Sequence, residues 1–125
     1  MFPKKARTIL LLEDIIKETN LLLEMSGQIK THNDFVSDMS GMILFRACSM
    51  SLQYITECFV KIKNLQGLDF FKPYPSIPWQ SVFGMRNFLS HGYGDVDSEG
   101  IFNTIKTDIP ALLSVTEKML SDLKD

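Results

Sequence analysis

The stretch Gly84-Met85-Arg86-Asn87-Phe88-Leu89-Ser90-His91-Gly92-Tyr93 brings a guanidinium, an amide, a hydroxyl, an imidazole and a phenol close together. These are polar groups of catalytic type. A guanidinium presents a planar fork of donors that matches a phosphate. An imidazole titrates near pH ~6.5 and can take or give a proton at neutral pH. Each group also has a structural explanation. A histidine at a helix C-terminus is favoured there by the helix dipole, and Arg86 can serve as a surface ion-pair partner. Spacing alone does not decide between the two.

The elements that must position these groups constrain the chemistry. A third helix is predicted from Pro78 to about His91, with Trp79, Val82, Phe83, Phe88 and Leu89 as its apolar positions and Gly92 as its C-terminal cap. Residues five apart on a helix point about 140° apart. Arg86 and His91 therefore converge only if His91 lies at the unwinding end, which Gly92 permits. A two-fold axis nearby would set two such pairs across one cleft.

The rest of the chain reads as helices. Residues 7–28 place Leu12, Ile15, Ile16, Thr19, Leu22 and Leu23 on one face, with Gly27 as a stop. Residues 41–65 form a long helix that is apolar nearly all round, which implies burial on two sides. In so small a domain the second side is expected to be a subunit interface. Phe70 to Pro78 holds three prolines and is an ordered crossover. Asp97 is the expected N-cap of a last helix, 98–123, which Pro110 should kink or divide, with Asp108 as a second cap. No strand pattern competes. The expectation is a single all-α domain over residues 1–125, an antiparallel bundle of four to five helices, assembled as a homodimer.

Composition narrows the function. The chain has 125 residues, 45% of them hydrophobic, and a net charge of −2. That balance excludes a generally basic nucleic-acid binder and leaves any RNA contact to a local site. Cys48 and Cys58 are ten apart, about 15 Å along a helix, too far for a disulfide. Together with His32, read as a solvated loop residue, they offer no metal-ligand spacing, and no metal or other cofactor is expected. No apolar run approaches a membrane span and the N-terminus lacks a signal-peptide core, so a cytoplasmic location is expected.

Arg86, four residues, His91, one residue, Tyr93 resembles the signature of HepT toxins in the HEPN superfamily. The surroundings are similar too: Ile77-Pro78-Trp79 upstream, Gly84 to Asn87 leading in, Val96-Asp97 after, and Thr104 to Pro110 in the last helix. A weaker likeness runs through Leu52 to Glu57. The sequence departs from that pattern at Gly94 and Asp95, at Thr56 and Cys58, and at Met50, where the family commonly has arginine.

The resemblance implies a HEPN-type bundle that works as a dimer and cuts RNA without a metal. It assigns Arg86 and His91 to catalysis, and Asn87 and Ser90 to phosphate or ribose contacts. Tyr93 becomes the point where a partner minimal nucleotidyltransferase, the antitoxin, attaches AMP. A different implied function is a non-catalytic HEPN subunit that binds nucleotide or substrate for a nucleotidyltransferase, with Arg86 and His91 only holding phosphate.

Overall fold

The computed structural model describes residues 3–91 and 97–125, and of residues 86–91 the backbone only. Five α-helices follow in order: α1 (Lys4–Met25), α2 (Met39–Gln66), α3 (Trp79–His91), α4 (Ser98–Asn103) and α5 (Ile109–Lys124). Short 3-10 turns lie between α1 and α2 (His32–Phe35) and between α2 and α3 (Leu68–Phe71), a π turn at Thr104–Asp108 joins α4 to α5, and no strand occurs among the described residues.

Helix α1 runs antiparallel to α2. Gln66 donates to the Thr8 hydroxyl at 3.0 Å, Tyr54 to Asp14 at 3.2 Å and Ser51 to Glu18, so partners on α1 advance as those on α2 recede. Helix α5 runs antiparallel to α1 in turn: Lys106 donates to the Ser26 carbonyl at one end, and Lys124 lies 3.5 Å from Glu13 toward the other. Leu12, Ile15 and Leu22 of α1, Leu52, Ile55, Phe59 and Ile62 of α2, and Met119 of α5 are sealed between them. This is the apolar periodicity of the sequence realised as one core.

The caps show where sequence and structure part by a turn. Helix α1 gives way after Met25 to tighter turns, in which the Gly27 N–H bonds to the Glu24 carbonyl at 3.2 Å and the Ile29 N–H to the Ser26 carbonyl at 3.0 Å, while the Ser26 hydroxyl bonds to the Leu22 carbonyl at 2.9 Å. Helix α2 starts two residues earlier than expected, since the Asp38 carboxylate accepts from the Gly41 N–H at 2.8 Å. It ends at Gly67, whose φ of +82° favours glycine and whose N–H bonds to the Lys63 carbonyl at 2.8 Å. His32 stands first in a 3-10 turn closed by a capping box between Thr31 and Asp34, and that turn buries Phe35 completely.

Pro110 divides the last helix as expected, but Asp108 does not cap the second part. The Ile109 N–H reaches back five residues to the Thr104 carbonyl, the π pattern, so the chain passes from α4 to α5 without leaving helical backbone. A side-chain N-cap needs extended backbone. Asp108 instead has φ −85° and ψ −37° and makes no cap bond. Asp97 does cap α4, accepting from the Glu99 N–H at 3.0 Å.

The outer face of α2 stays open. Met39, Ile43, Met50 and Tyr54 are exposed, Met50 by 63%, at spacings of four, seven and four. No helix among the described residues is long and apolar enough to cross a membrane.

Candidate functional site

Helix α3 is held by an aromatic cluster at its start. The Trp79 indole donates to the Tyr74 carbonyl at 2.8 Å. Phe71 lies 4.7 Å from the Trp79 ring and 5.1 Å from Phe83, and Phe59 of α2 lies 5.4 Å from Trp79. The Lys63 ammonium sits 4.8 Å over the Phe83 ring. Tyr74 ties the crossover to α5 through its hydroxyl, which donates to Asp122 at 2.7 Å. Burial first, and that bond second, push the Tyr74 phenol up to about 12. Phe71, Tyr74 and Ile77 are buried, and Phe70 packs half-buried against the core, so the crossover is ordered as expected.

From this anchor α3 carries helical backbone through Arg86, Asn87 and Ser90 to His91, its last residue. Register relates these positions in pairs. Arg86 and Ser90 are one turn apart, as are Asn87 and His91, whereas Arg86 and His91 differ by about 140° about the axis. Gln80, Gly84, Asn87 and His91 occupy one strip at spacings of four, three and four, and Gln80 and Gly84 in it are exposed. Arg86 follows the buried Val82 by one turn. His91 occupies the helix C-terminus, where a cation is favoured. Side chains at 86–91 lie outside the described residues, as do Tyr93, Gly94, Asp95 and the expected cap Gly92.

Gly84 stands out on the exposed strip. A Cβ built there would meet nothing within 4 Å. Glycine inside a helix costs about 1 kcal/mol against alanine, and no contact in the described protomer requires it.

Between α2, α3 and the start of α5 lies a cavity of about 330 Å³. Nothing in the pattern of residue types signals it, and the π turn before Pro110 lines its edge. Cys48 and Cys58 are separate buried thiols, and burial pushes Cys48 up to about 11. Among the described residues no three His, Cys, Asp or Glu side chains group as metal ligands.

Comparison with known proteins gives a consistent set of relatives. The family model described as "Ribonuclease HepT-like" matches residues 13–119, a span that contains all of α3. The chain is 34% identical over 108 residues to the "Probable ribonuclease HepT" of Thermococcus cleftensis, covering 86% of this chain and 91% of that protein. Two further relatives are each named "Putative RNase". One, from Caldanaerobacter subterraneus, is 34% identical over 113 residues, 90% of this chain and 94% of its own length. The other, from Methanocaldococcus jannaschii, is 30% identical over 106 residues, 85% of this chain and 90% of its own length. No solved structure matched the chain.

Proposed function

The chain belongs to the ribonuclease HepT-like family, and from that premise we propose that it is a metal-independent endoribonuclease that acts as a homodimer, the toxin of a toxin–antitoxin pair. The observation that carries the reading is the family match over residues 13–119, within which Arg86 and His91 fall at the end of one helix. The His91 imidazole of one subunit takes the proton from a ribose 2′-hydroxyl, whose oxygen attacks the adjacent phosphorus. The His91 imidazolium of the other gives a proton to the departing 5′-oxygen, leaving a 2′,3′-cyclic phosphate. Arg86 holds the phosphate and stabilises the extra charge of the pentacoordinate state. Asn87 and Ser90 orient phosphate or ribose.

The dimer draws support from two described surfaces. The apolar stripe of Met39, Ile43, Met50 and Tyr54 lies open on α2, and on α3 the exposed Gly84 leaves open space where a side chain would stand. Contiguous exposed apolar residues of this kind mark association faces. Met50, where the family commonly has arginine, adds to the apolar stripe.

Neutralisation follows from charge and bulk. A minimal nucleotidyltransferase partner transfers AMP from ATP to the Tyr93 hydroxyl, releasing pyrophosphate. The phosphodiester places negative charge near Arg86 and His91 in the chain, competing with RNA phosphate.

The test is direct. His91→Ala and Arg86→Ala should each lower RNA cleavage at least about 100-fold while the dimer persists. A His91→Ala protein that cuts as fast as the parent defeats the mechanism. Co-expression with the partner should add the mass of AMP to the parent and not to Tyr93→Phe.

The net charge of −2 favours a second reading, a non-catalytic subunit that binds a small nucleotide, because a long polyanion is poorly attracted to an acidic surface. Tight nucleotide binding with total RNA left intact would select it.

A further inference from the structure

The 330 Å³ cavity beside α3 has walls and a rim of different character. Its walls are apolar, with Leu52, Ile55, Val82, Met85 and Leu112 among them. The exposed edge is polar: Ser76 and Ser81 lie on it, and the π turn supplies Thr104, Thr107 and Asp108. The side chains of Thr104, Thr107 and Asp108 make no hydrogen bond or ion pair among the described residues. The turn before Asp108 stays helical, so its carboxylate is not spent on capping α5 and has no partner among the described residues.

An apolar cavity with a few unpaired polar groups at its edge is the ordinary form of a small-molecule site. The carboxylate restricts what enters. It repels phosphate and fatty-acid headgroups, and it accepts from N–H donors on a neutral ligand. Flat apolar faces with donors on one edge describe an amino-bearing nucleobase. The location agrees. Val82 and Met85 line the cavity, and Arg86 follows them on α3, within about 6 Å of Val82 along the helix axis.

We propose that this cavity receives the base of a nucleotide next to the phosphodiester that is cut, and that Asp108 selects bases carrying an exocyclic amine or, in guanine, the N1–H and N2 pair. The inference rests on the ribonuclease reading above for its substrate. Cytosine, adenine and guanine each offer a donor edge to a carboxylate, whereas the one N–H of uracil is flanked by two carbonyls that Asp108 repels. Cleavage is therefore biased against uracil at one position beside the cut, by roughly tenfold.

Binding and cutting are measured separately. Cytidine, guanosine and uridine are titrated into the whole protein while side-chain NMR signals of Ile55, Val82, Met85 and Leu112 are followed. The expected result is saturable shifts at those residues with cytidine and guanosine, roughly tenfold weaker with uridine. Asp108→Asn should erase that difference, and Ala111→Trp, which fills the mouth, should remove the shifts for all three. Silence at the cavity, or equal response to uridine, overturns the proposal. Mapping cut sites in a random RNA pool distinguishes its failure from that of the reading beneath it. A parent that cuts RNA with a silent cavity or no base bias refutes the base pocket alone. A parent that leaves RNA intact refutes the nuclease reading, and the base pocket as a substrate site with it.

Discussion

Gly41 and Gly84 both sit inside helices, and their surroundings are opposite. A Cβ on Gly41 would lie 1.9 Å from the carbonyl oxygen of Asp34, because the first turn of α2 rests on the 3-10 turn before it. A Cβ on Gly84 would meet nothing within 4 Å. The chain itself dictates the first glycine. The second carries the helical cost of glycine, about 1 kcal/mol, without any contact among the described residues to justify it. Side chains elsewhere in the molecule repeat the contrast. Phe35, beside Gly41, is fully buried, while Met50 and Ile43 on the outer face of α2 are 63% and 60% exposed. One region is built for the fold and the other for what approaches the fold.

The largest expected effect falls on the first region. Gly41→Ala forces α2 away from a backbone carbonyl that cannot rotate aside, and it disturbs the 2.8 Å cap from Asp38 to the Gly41 N–H. The cost should be about 3 kcal/mol or more, read as a fall of many degrees in the melting temperature. A Gly41→Ala protein that melts with the parent would mean the close approach does not exist.

The next effect falls on the second region. Ile43→Glu and Met50→Glu replace exposed side chains, so each should leave protomer stability within about 0.5 kcal/mol. Under the proposed assembly each sets like charges against one another across the two-fold axis and weakens the dimer, by an order of magnitude or more. Sedimentation velocity reads this at several concentrations. Dimers as tight as the parent's in both variants would move the interface off α2.

How much of this was legible in the sequence depended on how local the cause was. The long helices were, because apolar residues at spacings of three and four need nothing else to explain them. The break at Pro110 was legible for the same reason, since a missing N–H is a property of one residue. Its form was not. A π turn differs from an α turn by one residue per ring and leaves no pattern in residue types, so Asp108 was expected to cap and instead lines a cavity. That cavity was invisible because three elements far apart in the chain make it. The fit of Gly41 was equally hidden, since it depends on where the Asp34 carbonyl ends up. Arg86, Asn87, Ser90 and His91 were legible as types and spacing, and the helical backbone now fixes their register.

Gly84→Ala joins the two regions in one measurement. In an open, exposed helical position alanine should stabilise the protomer by about 0.5–1 kcal/mol, chiefly by narrowing the unfolded ensemble. If α3 needs a smooth face at 84, the same methyl group should loosen the dimer or slow RNA cleavage. Opposite signs in thermal melts and in association are the expected outcome. Stabilisation with association and cleavage unchanged would leave Gly84 without a purpose and remove the contrast with Gly41.

The smallest effect tests whether the first region is as self-contained as its packing implies. The Asp34 carboxylate accepts from the Lys30 N–H at 2.8 Å and the Thr31 N–H at 3.2 Å, and those bonds hold it below its ordinary 3.8. A carboxyl whose folded value is depressed contributes stability that is present above its unfolded value and lost as pH falls through the folded one. Parent and Asp34→Asn should therefore differ in melting temperature at pH 7 and converge as pH falls below 3.8. The group is exposed, so the gap should be small and should shrink in salt if charge is its source. A gap that persists in strong acid would mean the turn beneath Gly41 depends on the shape of the aspartate and not on its charge, because protonation would then have removed nothing that the asparagine lacks.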